Sequence, residues 1–393
     1  MPDLTAAEWK KIDDLFATDP YKYGLPRRIY GSAVLASFNI RKLGKVSTRS
    51  ANTWEFLAHT CSHFDLLAIQ ETMSDLEGFH KLYSLMGSDY EAVVSDTTGT
   101  FPGEQGLGER MAFIYNKNLV KRGYMVSDIS YDRSKLLDTL IEHQAAIAAV
   151  LEPQTKYREK LKAWENNPQG QKPKQPTLRL PVFLTFIRQP FCASFKIIGH
   201  PNTRPYYISA VNAHLYFGKS INDRRQEFDA LMDWLLARVQ EEDSNYFQNF
   251  MLLGDLNLDF DDPERDRDRI EKHIKSFNQK MVGKANVNFP FLDPHPNQTA
   301  PFRTNARQSE TFDQIGFFSI DERLPTYKDN ATMGDHPQGP DYGVFNFVEL
   351  FRDALDFPPI EDMDAATKKE FFRKFEYEVS DHLPLWVRLP LPQ

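Results

Sequence analysis

The chain is punctuated by short apolar runs that meet, at one end, polar residues seldom used for packing. "SAVLASFN" stops at Asn39, "DLLAIQET" reaches Glu71, "YYISAVNAHL" reaches His214, and "FMLLGDLN" closes on Asp255 and Asn257. "TFDQIGFF" carries Asp313 near its start, and "VSDHLPLWVRLP" sets Asp381 and His382 just before its apolar part. "YEAVVSDT", "RMAFIYN" and "VFLTFIRQPFCASFKI" are further runs of the same kind. Their length and their β-branched and aromatic content predict strands. Helical patterns fall between them at 48–61 and 223–240, the second with Phe228, Leu231, Leu235 and Val239 spaced by three and four. Strands interleaved with helices confine such a chain to α/β layering. In that architecture the strand ends are where loops build a site on a rigid scaffold.

Composition narrows the function. A chain of 393 residues, 41% hydrophobic and with 30 Phe and 16 Tyr, can bury a large core. Its formal net charge of −8 gives it no overall basic footprint for a polyanion, although a local basic cleft stays open. Cys61 and Cys192 have no metal-ligand spacing and read as buried thiols without a disulfide framework. No apolar stretch approaches the ~20 residues that span a bilayer. The N-terminal "MPDLTAAEWKKIDDLF" is an amphipathic helix with a Thr5…Glu8 capping box rather than a signal peptide. A soluble, cytoplasmic protein is expected.

Residues 1–28 form a helical arm and 29–393 a catalytic domain, interrupted at about 122–180 by a helical insertion. That insertion predicts two helices broken near Pro153 and then a Pro/Gln/Lys-rich tail. It is either a peripheral hairpin, a lid or a surface for a protein partner. Residues 262–281 predict a charged, solvated helix.

The residues at the strand ends suit one another chemically. Glu71 and Asp381, with the amide oxygen of Asn39, make an all-oxygen set that suits Mg²⁺ or Mn²⁺ and suits Zn²⁺ poorly. Histidines beside spare carboxylates suit acid/base pairs, because a carboxylate on one ring nitrogen raises the basicity of the other. A divalent cation, acid/base histidines and amide donors together describe hydrolysis of a phosphate ester.

The ordered motifs "LASFNIRKLG", "LLAIQET", "GERMAFIYN", "RQPFCASF", "VNAHL", "LLGDLN", "TFDQIGFF" and "VSDHLP" span roughly 30–120 and 182–390. In that order they resemble the endonuclease/exonuclease/phosphatase superfamily, and within it the deoxyribonuclease I branch. The resemblance implies a four-layer α/β sandwich, two packed mixed sheets flanked by helices. It implies Glu71 as principal metal ligand with Asn39 and Asp381 nearby, and the acid/base pairs His214–Glu109 and His382–Asp313. Asp255 would position or deprotonate water, Asn257 would donate to phosphoryl oxygens, Arg188 would bind a phosphate, and Arg41 would contact the nucleic-acid backbone. A Mg²⁺- or Mn²⁺-dependent DNA endonuclease follows, with DNA as substrate and no membrane partner.

Two departures bear on substrate. Met73 and Leu107 stand where that branch carries its minor-groove Arg and its sugar-stacking Tyr. Arg303 and Arg307, in "PFRTNARQSE", are either replacements for the lost phosphate contact or ordinary solvated side chains. A phosphodiesterase or phosphatase acting on a phospholipid head group, an inositol phosphate or a nucleotide is the second reading. A binding module that keeps only the fold is the third, and it would have lost ligands that this chain retains.

Overall fold

Two parallel strand pairs organise the molecule. The structure, a computed structural model, describes residues 4–98, 108–130, 136–137, 140–141, 144–176, 186–217, 221–240, 246–260, 266–281 and 283–393. After α1 (Ala6–Thr18), β1 (Ser32–Leu43) runs through α2 (Ala51–Cys61) into β2 (Leu66–Met73), which lies parallel to it. Then α3 (Glu77–Met86) leads to β3 (Tyr90–Val94), β4 (Glu109–Asn116) and β5 (Val120–Asp128). Beyond these come α4 (Gln144–Asn166), β6 (Phe191–Ile197), β7 (Tyr206–His214), α5 (Ile221–Gln240) and β8 (Asn249–Asp255). The chain continues with α6 (Asp268–Lys280), β9 (Asn286–Asn288), β10 (Asp313–Ser319) and β11 (Asp341–Val344). It ends with α7 (Phe347–Ala354), α8 (Ala365–Arg373) and β12 (Leu385–Pro390).

The strands form two six-stranded sheets, ordered β11-β12-β1-β2-β4-β3 and β5-β6-β7-β8-β10-β9. Each is mixed in the same way. Parallel β1 and β2 are flanked by antiparallel β12 and β4, and parallel β7 and β8 by antiparallel β6 and β10. The right-handed crossover that a parallel pair requires supplies the covering helices. The sheets face each other, with β1 against β8 and β2 against β7. Phe113 of β4 meets Phe191 and Phe195 of β6 at ring separations of 5.7 and 5.3 Å. Phe228, Leu231, Leu235 and Val239 of α5 are buried in a second apolar layer outside the second sheet. This is the expected α/β sandwich of two packed mixed sheets flanked by helices.

The arm is fastened to this body. Thr5 and Glu8 make the expected capping box, and Trp9, Ile12 and Phe16 of α1 are buried. Trp9 and Phe16 join an aromatic cluster with Phe56 of α2 and Phe351 of α7. The excursion before β6 differs from its expectation. Residues 122–128 belong to β5, so the chain leaves the sheet only after Asp128. Helix α4 also runs unbroken through Pro153. Pro removes one N–H from the ladder, but α4 has no buried residue, so water can satisfy the freed carbonyl. In "VFLTFIRQPFCASFKI", strand geometry begins only at Phe191; residues 186–190 are not strand, and 182–185 lie outside the described residues. No helix among the described residues is long and apolar enough to cross a membrane.

Candidate active site

The site lies where corresponding ends of both sheets meet. His214 and Asp255 are the last residues of the parallel strands β7 and β8 and face each other in register. Asp313 opens β10 directly beside Asp255. From the first sheet come Asn39 on β1, Glu71 on β2, Glu109 opening β4, and Asp381 and His382 shortly before β12.

Local irregularities aim these side chains. The β1–β2 ladder shifts register between Asn39 and Leu43, and the β2–β4 ladder between Ile69 and Thr72. At the bulge Glu71 has φ 56°, a left-handed conformation that costs a non-glycine residue about 1 kcal/mol or more. The kink lets Gln70 point into the sheet interface, where its Nε2 donates to Asn212 Oδ1 at 2.6 Å, while Glu71 stays partly exposed. Asn257 is likewise left-handed, at φ 51°, and its N–H donates to Asp255 Oδ1 at 2.9 Å. Gly254 is obligatory for a different reason. A Cβ there would sit 1.8 Å from the Ala213 carbonyl oxygen, so β7 and β8 can approach only around a glycine.

Both histidine pairs cross between the sheets. His214 Nδ1 of the second sheet lies 3.0 Å from Glu109 Oε2 of the first. His382 Nδ1 of the first lies 2.8 Å from Asp313 Oδ2 of the second. The outer Nε2 atoms converge on one oxygen, Asp255 Oδ2, at 3.7 Å from His214 and 3.6 Å from His382. Asn39 Nδ2 donates to that same oxygen at 3.1 Å and to Glu71 Oε1 at 3.3 Å. Eight of the expected residues, Asn39, Glu71, Glu109, His214, Asn257, Asp313, Asp381 and His382, therefore gather around the carboxylate of a ninth, Asp255.

Electrostatics divide the two pairs. Burial would raise the Glu109 carboxyl, but the His214 hydrogen bond and the Arg188 charge hold it down at about 2. Burial raises Asp313, with the neighbouring Asp255 charge acting in the same direction against the opposing pull of His382. Burial would lower His382, yet the charges of Asp313, Asp255 and Asp381 lift it well above the usual imidazole range.

Of the two arginines expected to meet phosphate, Arg188 is enclosed and Arg41 stays at the site. Arg188 is only 4% exposed; its Nε lies 2.6 Å from Glu109 Oε2 and its Nη1 donates to Leu215 O. A guanidinium so enclosed braces Glu109 and does not present the open fork that phosphate binding requires. Arg41 is bound to Asp381 at 3.0 Å and stacks 4.2 Å over the exposed Tyr377 ring. Arg307 pairs with Glu376. Met73 is partly exposed on β2, and Leu107 lies outside the described residues. Sequence reasoning passed over Ser380. Its Oγ donates to Asn39 O at 2.6 Å and accepts from the N–H groups of Arg41 and His382, tying β1 to the Asp381 loop. Its place inside "VSDHLP" was the available signal.

The donors fit a divalent cation. Among the described residues Asn39 Oδ1 and Asp381 Oδ1 are buried without hydrogen-bond partners, and Glu71 Oε2 accepts the Lys42 N–H at 2.9 Å. Unpartnered buried oxygens of this kind are costly unless something cationic faces them. Among the described residues Asp255, Asp313 and His382 also bring ligand atoms within 4.8 Å of one another and could hold an ion.

No protein-family model and no curated protein matches the sequence. Solved structures do. The human Nocturnin catalytic domain with bound sulfate is similar over 93% of this chain and 96% of its own, at 13% identity and TM-score 0.45. An endonuclease/exonuclease/phosphatase from Bacteroides vulgatus is similar over 92% and 99%, at 13% and 0.45. A mannosyl-6-phosphatase from Bacteroides thetaiotaomicron is similar over 90% and 98%, at 12% and 0.43. The sheet topology of this chain itself, two mixed six-stranded sheets face to face between helices, is the α/β sandwich that the sequence led us to expect.

Proposed function

We propose that the chain is a divalent-metal-dependent phosphodiesterase acting on nucleic acid, most directly a DNA endonuclease of deoxyribonuclease I type. One observation carries this reading: two histidines, each backed by a carboxylate from the opposite sheet, aim at the single oxygen Asp255 Oδ2. That is the arrangement a phosphodiester needs, with one proton carrier toward the attacking water and one toward the leaving oxygen.

Glu71, Asn39 and Asp381 would hold Mg²⁺ or Mn²⁺, which when bound offsets negative charge on the phosphoryl oxygens. Asp255 positions the attacking water or takes its proton. His382, surrounded by Asp313, Asp255 and Asp381, carries a proton and serves as the donor to the leaving oxygen. His214 completes the pair from the other side, its tautomer fixed by Glu109. Asn257 Nδ2 donates one hydrogen to Leu215 O at 2.9 Å, and its second is directed to a phosphoryl oxygen. Arg41, beside Asp381, contacts the substrate backbone. Helix α4 lies outside the reaction as a surface for a protein partner, and two free buried thiols suit a reducing compartment such as the cytoplasm.

Supercoiled plasmid with Mg²⁺ or Mn²⁺ tests the reading. Nicking that disappears in EDTA is expected, with excision of residues 131–176 leaving turnover intact. Cleavage of a bis-aryl phosphate with untouched plasmid would move the substrate to a small phosphoester. No cleavage of either ester under any divalent metal would sink it.

A further inference from the structure

Helix α5 carries a carboxylate on its buried face, where Phe228 and Leu231 also pack. Glu227 is fully buried, a costly place for an acid unless its oxygens are satisfied. They are satisfied by backbone: Oε1 accepts the Ile187 N–H at 2.6 Å and Oε2 the Tyr216 N–H at 2.5 Å. These donors belong to two separate segments that border the site. Ile187 precedes Arg188, whose guanidinium braces Glu109. Tyr216 follows Leu215, whose carbonyl accepts from both Arg188 and Asn257, and lies two residues beyond His214.

We propose that Glu227 is a positioning residue for the His214–Glu109 pair, acting through the two backbone segments it joins. Resting on the phosphodiesterase reading, this adds a member that touches neither substrate nor metal ligand. One carboxylate fixes where β7 hands over to the Leu215–Tyr216 turn, and where Arg188 enters beneath Glu109. Burial pushes the Glu227 carboxyl up to about 7, against the pull of its two backbone N–H donors and, less strongly, of nearby Arg188 and His214. Glu109, beyond Arg188, completes the charged set on that side of the site. A side chain needed only to fill the α5 face would be better supplied by Leu or Met, since the neighbouring positions are apolar.

The test is Glu227→Gln, which keeps the volume but loses the charge and one acceptor. On plasmid or bis-aryl phosphate, kcat is expected to fall by about 10- to 100-fold with KM little changed. In metal-free protein, the NMR resonances of the His214 ring and of the Tyr216 amide are expected to shift, because the carboxylate that fixes the turn after β7 has lost one acceptor. An unchanged kcat, or a fall matched by the lost folded fraction with the His214 ring and Tyr216 amide resonances unmoved, overturns the proposal. If Glu227→Gln does not fold, Glu227→Asp, which keeps the charge but withdraws it from both N–H groups, is scored by the same criteria. If wild type cleaves no phosphodiester, the functional reading fails and the His214 ring and Tyr216 amide resonances alone decide the positioning role.

Discussion

The two histidine pairs share a blueprint and differ in their surroundings. Each joins one residue from either sheet, and each points Nε2 at Asp255. On the His214 side, Glu109 is neutralised twice, by the histidine and by buried Arg188, and its carboxyl is held at about 2. On the His382 side no arginine among the described residues lies against Asp313; Asp255 and Asp381 add further negative charge. Like carboxyls in opposite fields move in opposite directions: Glu109 is held down at about 2, while burial and the Asp255 charge push Asp313 up. Pushing the proton affinities of paired groups apart is how one site obtains separate acid and base roles.

The comparison can be broken most forcefully at the histidines. His214→Ala and His382→Ala should each lower kcat by about 10²–10⁴-fold, and the double variant should cost little more than the worse single, as for residues acting as a unit. Steady-state kinetics on a bis-aryl phosphate gives the answer; additive losses would separate the pairs into independent functions.

Stability should distinguish their carboxylates. Glu109→Gln strands Arg188 in the core and should cost about 3 kcal/mol in urea unfolding, because a buried charge loses its partner. Asp313→Asn removes one of two adjacent buried acids and should change stability by at most about 1 kcal/mol, although kcat collapses. Equal losses would show that the asymmetric field has no energetic weight.

A smaller, opposite pH signature sharpens the contrast. Glu109 is depressed from 4.5 to about 2, so its contribution is present above its unfolded value and lost as pH falls through about 2. His382 is raised, so its contribution is present below 6.5 and lost as pH climbs through its elevated value. In metal-free protein, the stability gap between wild type and Glu109→Gln should close in acid. The gap between wild type and His382→Asn should close in alkali. Melting temperatures across pH read both; gaps closing at the same end would contradict the assignment.

The smallest effect is expected at Ser380→Ala, which removes the hydroxyl tie between β1 and the Asp381 loop. A hydrogen bond of this kind contributes about 1 kcal/mol, so a several-fold loss of kcat with a slightly lowered melting temperature is expected.

Legibility in the sequence followed locality. The Thr5–Glu8 cap, the α5 stripe and most strands are set by neighbours a few residues apart, and the structure places them where the pattern predicted. Strand β5 escaped because its burial is shallow and its apolar alternation weak over "VKRGYMVSD". The unbroken helix through Pro153 escaped because solvent exposure removes the penalty that a buried helix would bear. Among the site residues, the acids, amides and histidines stood out by being polar at the ends of apolar runs. Arg188 stood out too, but only its enclosure by Glu109 and Leu215 reveals a brace rather than a phosphate fork. Glu227 gave no signal, since an acid in "DRRQEFD" looks like any solvated helical position.

What the sequence alone determined is the kit: an α/β layering and a set of oxygen and imidazole groups at strand ends, because both follow from short-range periodicity and residue chemistry. What only the tertiary structure decided is who faces whom. His214 meets Glu109, 105 residues away, and His382 meets Asp313 because two separate sheets pack in one register. The charge around each pair is then set by side chains, Arg188 on one side and Asp255 with Asp381 on the other, that only this packing brings near.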